Sequence, residues 1–166
     1  MATAVYPGSF DPVTLGHLNI ITRAAQVFDE VYVCTLVNSG KAPLFTRDER
    51  VELIQRCTAK LGNVYVEAWD DLVVKYVKKC NARIIVKGLR AVSDFDREFQ
   101  MALVNKINDD DIETLFMASA AKYTYLSSTV VKEMARYGAD ISEFVPREII
   151  DDVYERVERF KRQAGD

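Results

Sequence analysis

The chain has 166 residues, 49% hydrophobic and 28% charged, a balance that suits one globular domain (1–166) and leaves too little chain for a second. A formal net charge of −3 excludes a surface built to coat nucleic acid, yet a few local cations could still hold a small anion. No apolar run approaches the ~20 residues of a membrane span, and the N-terminus lacks a basic, apolar leader pattern, so a soluble cytoplasmic protein with no membrane partner is expected.

Short β-branched runs fall at 3–6, 31–37, 64–68, 83–86 and 114–117, and segments of helical periodicity separate them. After the first run, Leu18, Ile21, Ala25 and Phe28 recur at three- and four-residue steps, one apolar helix face. Thr46 followed by Glu49 forms a capping box that opens a helix over 47–61. A short helix follows over 71–79. Ser93 is expected to cap a helix over 94–108, and Ser127 or Ser128 to open one that ends near Gly138. Beyond Pro146, Ile149, Val153, Val157 and Phe160 make the inner stripe of a C-terminal helix. Cys34, Cys57 and Cys80 form no CxxC pair and are odd in number, which points to reduced, mostly buried thiols rather than zinc or disulfides.

Strands alternating with helices imply right-handed crossovers, and apolar strands imply a sheet covered on both faces. The expectation is an α/β, single Rossmann-like domain: a five-stranded parallel sheet of order 3-2-1-4-5, helices on both faces, and a C-terminal helix. Ligands of such a sheet bind beyond the carboxyl ends of the strands where the order reverses, between strands 1 and 4. The loops that leave those strands are Pro7-Gly8-Ser9-Phe10 and Lys87-Gly88-Leu89-Arg90, the two most phosphate-like in the chain.

In the first loop, Gly8 permits close backbone approach, Ser9 offers a hydroxyl and an N–H, and Asp11-Pro12 forces a turn. Gly16 and His17 then fall in the first turn of a helix, where free N–H groups and the dipole favour anions. His17 is the one histidine in the sequence. A lone histidine is ordinarily a structural residue; its position after a glycine at a helix start, beside a Gly-Ser turn, argues for a ligand contact here. The dinucleotide GxGxxG fingerprint is missing, which counts against a nicotinamide-dependent oxidoreductase.

The string Thr14-Leu15-Gly16-His17 is similar to the HxGH signature of the nucleotidyltransferase superfamily, with Thr14 in place of the first histidine. The whole stretch YPGSFDPVTLGH resembles the bacterial phosphopantetheine adenylyltransferases. Three further segments match that family in order: KAPLFT from Lys41, KGLRAVSDFDRE from Lys87, and YTYLSST from Tyr123. The resemblance runs from Tyr6 to at least Pro146.

What the resemblance implies is adenylyl transfer from ATP to 4′-phosphopantetheine, with Mg²⁺, in coenzyme A biosynthesis, by a homohexamer. The chemistry suits the residues. An acceptor phosphate is ionised at neutral pH and needs no activating base, so the protein's task is to position two polyanions and stabilise charge. By the resemblance, His17, Lys41 and Arg90 are the catalytic residues. Ser9, Lys41, Lys87 and the backbone of Val73 should meet the acceptor; Lys87 keeps a charge where some members have arginine. ATP is expected against Ser9, Phe10, His17, Gly88, Leu89, Arg90 and Glu98. The segment Tyr123, Thr124, Tyr125, Leu126, Ser127, Ser128 and Thr129 is the expected nucleotide loop, its hydroxyls available to phosphates at a helix start.

Asp94, Asp96 and Arg97 read as solvated helix charges. No carboxylate cluster stands out, so Mg²⁺ is expected to arrive on ATP without a named protein ligand, Asp11 being an outer-sphere candidate. Two other readings remain: a nicotinate-nucleotide adenylyltransferase or cytidylyltransferase, which Thr14 counts against, and a nucleotide-binding sensor without turnover.

Overall fold

The computed structural model describes residues 1–36 and 42–164, and in it the β-branched runs pair side by side. The strands are β1 (Thr3–Gly8), β2 (Glu30–Leu36), β3 (Val64–Trp69), β4 (Ile84–Leu89) and β5 (Glu113–Ala118). All pair in parallel in the order β3-β2-β1-β4-β5, as the alternation implied. Between and after them run α1 (Leu15–Val27), α2 (Arg47–Thr58), α3 (Val73–Lys79), α4 (Val92–Asn108), α5 (Ser128–Arg136) and α6 (Ile150–Ala164).

Alternation of side chains along each strand divides the core into two. On one face Ala4, Tyr6, Val31, Val33 and Val86 meet α1, α2, α5 and α6 through Ile20, Ile21, Leu53, Ile54, Val131 and Val153. On the other, Val5, Cys34 and Ile85 meet Val74, Tyr76 and Val77 of α3. Cys34 is buried and Cys57 and Cys80 half-buried, all three as free thiols.

Several element boundaries differ from expectation. α2 ends at Thr58 rather than 61, where the Leu61 N–H turns back onto the Thr58 carbonyl. α4 starts at Val92 with Ala91 as its N-cap, so Ser93 lies inside the first turn; the Asp94 carboxylate reaches back instead to the Arg90 N–H at 3.3 Å. β1 and β4 run on through Gly8 and Leu89, so both presumed phosphate loops are largely strand ends.

Coverage of the sheet is also less complete than expected. β5 is an edge strand that alternates between exposed and half-buried positions. Along α4, Val92, Phe95, Phe99, Leu103 and Ile107 form one apolar stripe at helical spacing, and all are exposed, Val92 and Ile107 at 85%. Phe95 and Phe99 stack at 5.3 Å, and Phe95 meets Phe116 of β5 edge-on, so the stripe continues onto the sheet edge.

The sheet's centre is where it opens. β1 pairs with β2 along its whole length, but with β4 only at Ala4↔Ile84 and Val5↔Ile85. Beyond those pairs the two strands part, and a crevice of about 710 Å³ lies between their carboxyl ends.

Candidate active site

The crevice sits at the predicted switch point and gathers residues from three separate stretches. From the first come Ser9, Phe10, Thr14, Gly16 and His17. From β4 and α4 come Lys87, Gly88, Arg90 and Glu98. The third lip is Leu126, Ser127, Ser128 and Thr129 at the entry to α5.

His17 is held by the helix it opens. Thr14 is the N-cap of α1; its hydroxyl accepts from the His17 N–H at 3.2 Å, and the Thr14 N–H donates to His17 Nδ1 at 3.1 Å. An Nδ1 that accepts a backbone N–H must be unprotonated, so in the neutral ring the proton sits on Nε2. Burial first, and the Arg90 charge second, push the imidazole pKa down to about 4. At neutral pH, His17 is therefore an uncharged donor through Nε2. Thr14, standing where the superfamily signature has a histidine, supports this arrangement through its cap.

Phe10 props the imidazole from below. It is buried, with φ of 46°, and its ring meets those of Tyr6 and His17 edge-on at 5.3 and 5.0 Å. The fold-back needs Gly8, since a Cβ there would lie 2.9 Å from the Phe10 ring. Gly8 thus makes room for an aromatic side chain while itself lining the crevice, as Phe10 does. Gly88 answers a packing demand too: a Cβ would lie 3.0 Å from Cγ1 of Ile20 on α1.

Lys87 spans the opening. Its ammonium donates to the Pro7 carbonyl at 3.4 Å across the fork and lies 3.2 Å from Glu98 Oε2. That oxygen is buried and accepts no hydrogen bond among the described residues. Arg90 joins the second lip to the third. Its Nη1 donates to the Leu126 carbonyl at 2.7 Å, while Nε and Nη2 donate to the two Asp94 oxygens at 2.9 and 3.0 Å.

Two charges read as solvated line the crevice. Asp94 and Arg97 line the crevice because, with Glu98, they follow Arg90 at helical steps on one side of α4; Asp96 points outward and is exposed. Asp11 is engaged within the fold. Its carboxylate is buried, accepts from the N–H groups of Leu44 and Phe45 at 2.9 and 2.8 Å, and pairs with Lys132 at 3.0 Å. Arg50, unremarked in the sequence, is 4% exposed and donates to the carbonyls of Ser9 and Leu36 at 2.8 and 3.3 Å, tying the first loop to the end of β2. The capping box at Thr46 foretold its helix but not which way its first-turn arginine would face.

The remaining expected residues sort as follows. Ser127 is the N-cap of α5 and accepts from Val130, whereas the Ser128 hydroxyl donates to the Pro12 carbonyl at 2.8 Å, leaving its backbone N–H for a ligand. Tyr123 packs on the core, Thr124 closes a local turn, and exposed Tyr125 leans edge-on against Phe144; none of the three lines the crevice. Leu89 hands its carbonyl to Ser119. Val73 opens α3 beyond β3, outside the crevice. Lys41 lies outside the described residues. Among the described residues, no three His, Cys, Asp or Glu side chains converge as a metal site, and no helix is long and apolar enough to cross a membrane.

Known proteins share this pattern. A family model described as cytidylyltransferase-like matches residues 5–134. A protein of Clostridium beijerinckii named phosphopantetheine adenylyltransferase is 55% identical over 157 residues, which cover 95% of this chain and 99% of that one. A protein of the same name from Caldanaerobacter subterraneus subsp. tengcongensis is 53% identical, with 98% and 99% covered. One from Clostridium perfringens is 46% identical, with 99% and 100% covered.

Proposed function

This chain belongs to the phosphopantetheine adenylyltransferase family, and we infer that it transfers the adenylyl group of ATP to 4′-phosphopantetheine, giving dephospho-coenzyme A and pyrophosphate. The observation that carries the reading is the crevice itself: an oriented neutral histidine, three cations and a helix N-terminus face one opening of about 710 Å³.

An oxygen of the acceptor phosphate forms a bond to the α-phosphorus of ATP while the bond to the α–β bridging oxygen breaks. The bonding pair leaves with pyrophosphate, and no proton need move. Charge gathers on the α-phosphoryl oxygens, where preorganised donors act with most effect. His17 supplies the Nε2–H. Lys87 and Ser9 lie on the first opening between β1 and β4 and suit the acceptor phosphate; Lys41 is assigned to bridge the two phosphates. Arg90, the Gly88 and Leu89 backbone, and the α5 entry hold the triphosphate. Glu98, whose buried Oε2 is paired in charge with Lys87 but accepts no hydrogen bond among the described residues, is a fitting acceptor for a nucleotide hydroxyl or amine. Val73 is assigned to the pantetheine arm.

The acidic groups do not fit a protein-held Mg²⁺: Asp11 is consumed by two amides and Lys132, and Asp94 by Arg90. The ion accordingly enters on the ATP phosphates. A cytoplasmic setting follows from the substrates. Association of copies is favoured by the apolar stripe of α4 and the β5 edge, a contiguous surface that an isolated domain would leave in water, and the family resemblance assigns that assembly as a homohexamer.

The test is pyrophosphate release from ATP with phosphopantetheine or nicotinate mononucleotide as acceptor, and from CTP with glycerol phosphate. Turnover confined to the first is expected; turnover with another, or ATP binding without turnover, refutes the reading. His17→Ala should cut kcat by about 10²–10³, the loss typical of one oxyanion donor, while ATP affinity changes little.

A further inference from the structure

We propose that Asp94 is a positioning residue for ATP: it holds the Arg90 guanidinium in the one orientation that joins the β4 end to the nucleotide loop. The proposal rests on the assignment of Arg90 to ATP made above.

The contact is a fork-to-fork pair, Nε to Oδ2 at 2.9 Å and Nη2 to Oδ1 at 3.0 Å, with Oδ2 also accepting the Arg90 backbone N–H at 3.3 Å. A guanidinium so gripped cannot rotate about its last torsions. Nη1 then reaches the Leu126 carbonyl at 2.7 Å. Of the five N–H groups of Arg90, three are given to protein and two, one on each terminal nitrogen, are left for a ligand. Leu126 directly precedes Ser127, the N-cap whose helix start faces the same crevice. One carboxylate thereby sets the spacing between the two donor groups that flank the triphosphate.

Two simpler roles make different predictions. As the acid of the first helical turn, Asp94 would add a little helix stability through the dipole and nothing to binding. As a plain negative charge beside a triphosphate, it would weaken ATP binding, and its removal would tighten it. Positioning predicts the opposite sign: a freed Arg90 must be ordered again each time ATP binds.

The experiment compares ATP dissociation and steady-state constants for wild type, Asp94→Asn, Arg90→Lys and the double variant, with Arg90→Ala as reference. Asp94→Asn is expected to raise Kd and KM for ATP about tenfold, the scale of one arginine side chain re-ordered, with the acceptor KM unchanged. In the Arg90→Lys background, where no fork exists, the same change should alter KM less than about twofold. Asp94→Ser, which keeps a hydroxyl for the helix start, should behave as Asp94→Asn, and thermal melting checks that both fold. An unchanged or lowered ATP KM in Asp94→Asn overturns the proposal. An equal loss in the Arg90→Lys background overturns it too. Wild-type ATP affinity in Arg90→Ala overturns the assignment of Arg90 itself, and the proposal with it.

Discussion

Replacing Asp11 tests whether the walls of the crevice are held together by one buried carboxylate. The residue is 6% exposed and its carboxylate accepts two backbone N–H groups from the segment before α2, with Lys132 of α5 as its counter-charge. Asp11→Ala orphans both amides, while the partly exposed Lys132 ammonium can turn to water. Each unsatisfied buried group costs about 1–3 kcal/mol, so a loss of about 4 kcal/mol is expected for the two. For a chain of this size that corresponds to a fall in Tm of roughly 8–16 °C. Asp11→Asn keeps one acceptor oxygen and should lose about half as much. Lys132→Met, at a partly exposed position, should cost about 1 kcal/mol. The double variant Asp11→Ala, Lys132→Met should be less destabilised than the sum of its parts, since both changes remove the same ion pair. Urea and thermal unfolding at matched ionic strength measure all four. An Asp11→Ala protein that melts within about 2 °C of wild type would refute the reasoning. If Asp11 served Mg²⁺ instead, the loss would appear in Mg²⁺-dependent turnover with stability intact.

Thr14→Val removes the α1 cap hydroxyl at nearly constant volume and should destabilise by about 1 kcal/mol; circular dichroism melts report it, and no shift would deny the cap. His17 titrates near 6.5 when unfolded but only near 4 when folded. Between those values the unfolded chain binds the extra proton, so this contribution to stability is complete above pH 6.5 and is lost as pH falls toward 4. His17→Gln should lack that part of the pH slope in urea unfolding, and parallel slopes would show that the imidazole is not depressed.

The fold was legible because its signals are local and redundant. Five β-branched runs, a capping box at Thr46 and Glu49, and a serine N-cap before α5 each name their own element, and the alternation implies parallel pairing. His17 was legible for the same reason, since a Gly-His pair at a helix start announces its own surroundings. Contacts made across the chain were not. Asp11 and Lys132 are 121 positions apart, and nothing near either residue specifies the other. Arg50 looks like any first-turn arginine until the ends of β1 and β2 close over it. Asp94 was within reach: it stands four residues after Arg90, a spacing that pairs opposite charges on one side of a helix. The exposed stripe on α4 reads as an ordinary buried face in sequence, because periodicity reports that a face is apolar and not what covers it.

The parting of β1 from β4 after two registered pairs has a consequence for how the protein can change. A pocket hollowed from a core is lost when its lining grows, because side chains alone keep it open. Here the gap is framed by two diverging strands, and each remains anchored along its other edge, β1 to β2 and β4 to β5. Substitutions at positions such as Ser9, Lys87 or Glu98 can therefore retune what the gap accepts without threatening the sheet. Gly8 and Gly88 are different, because the shape of the frame itself depends on them. The architecture separates where a ligand sits from which ligand it is.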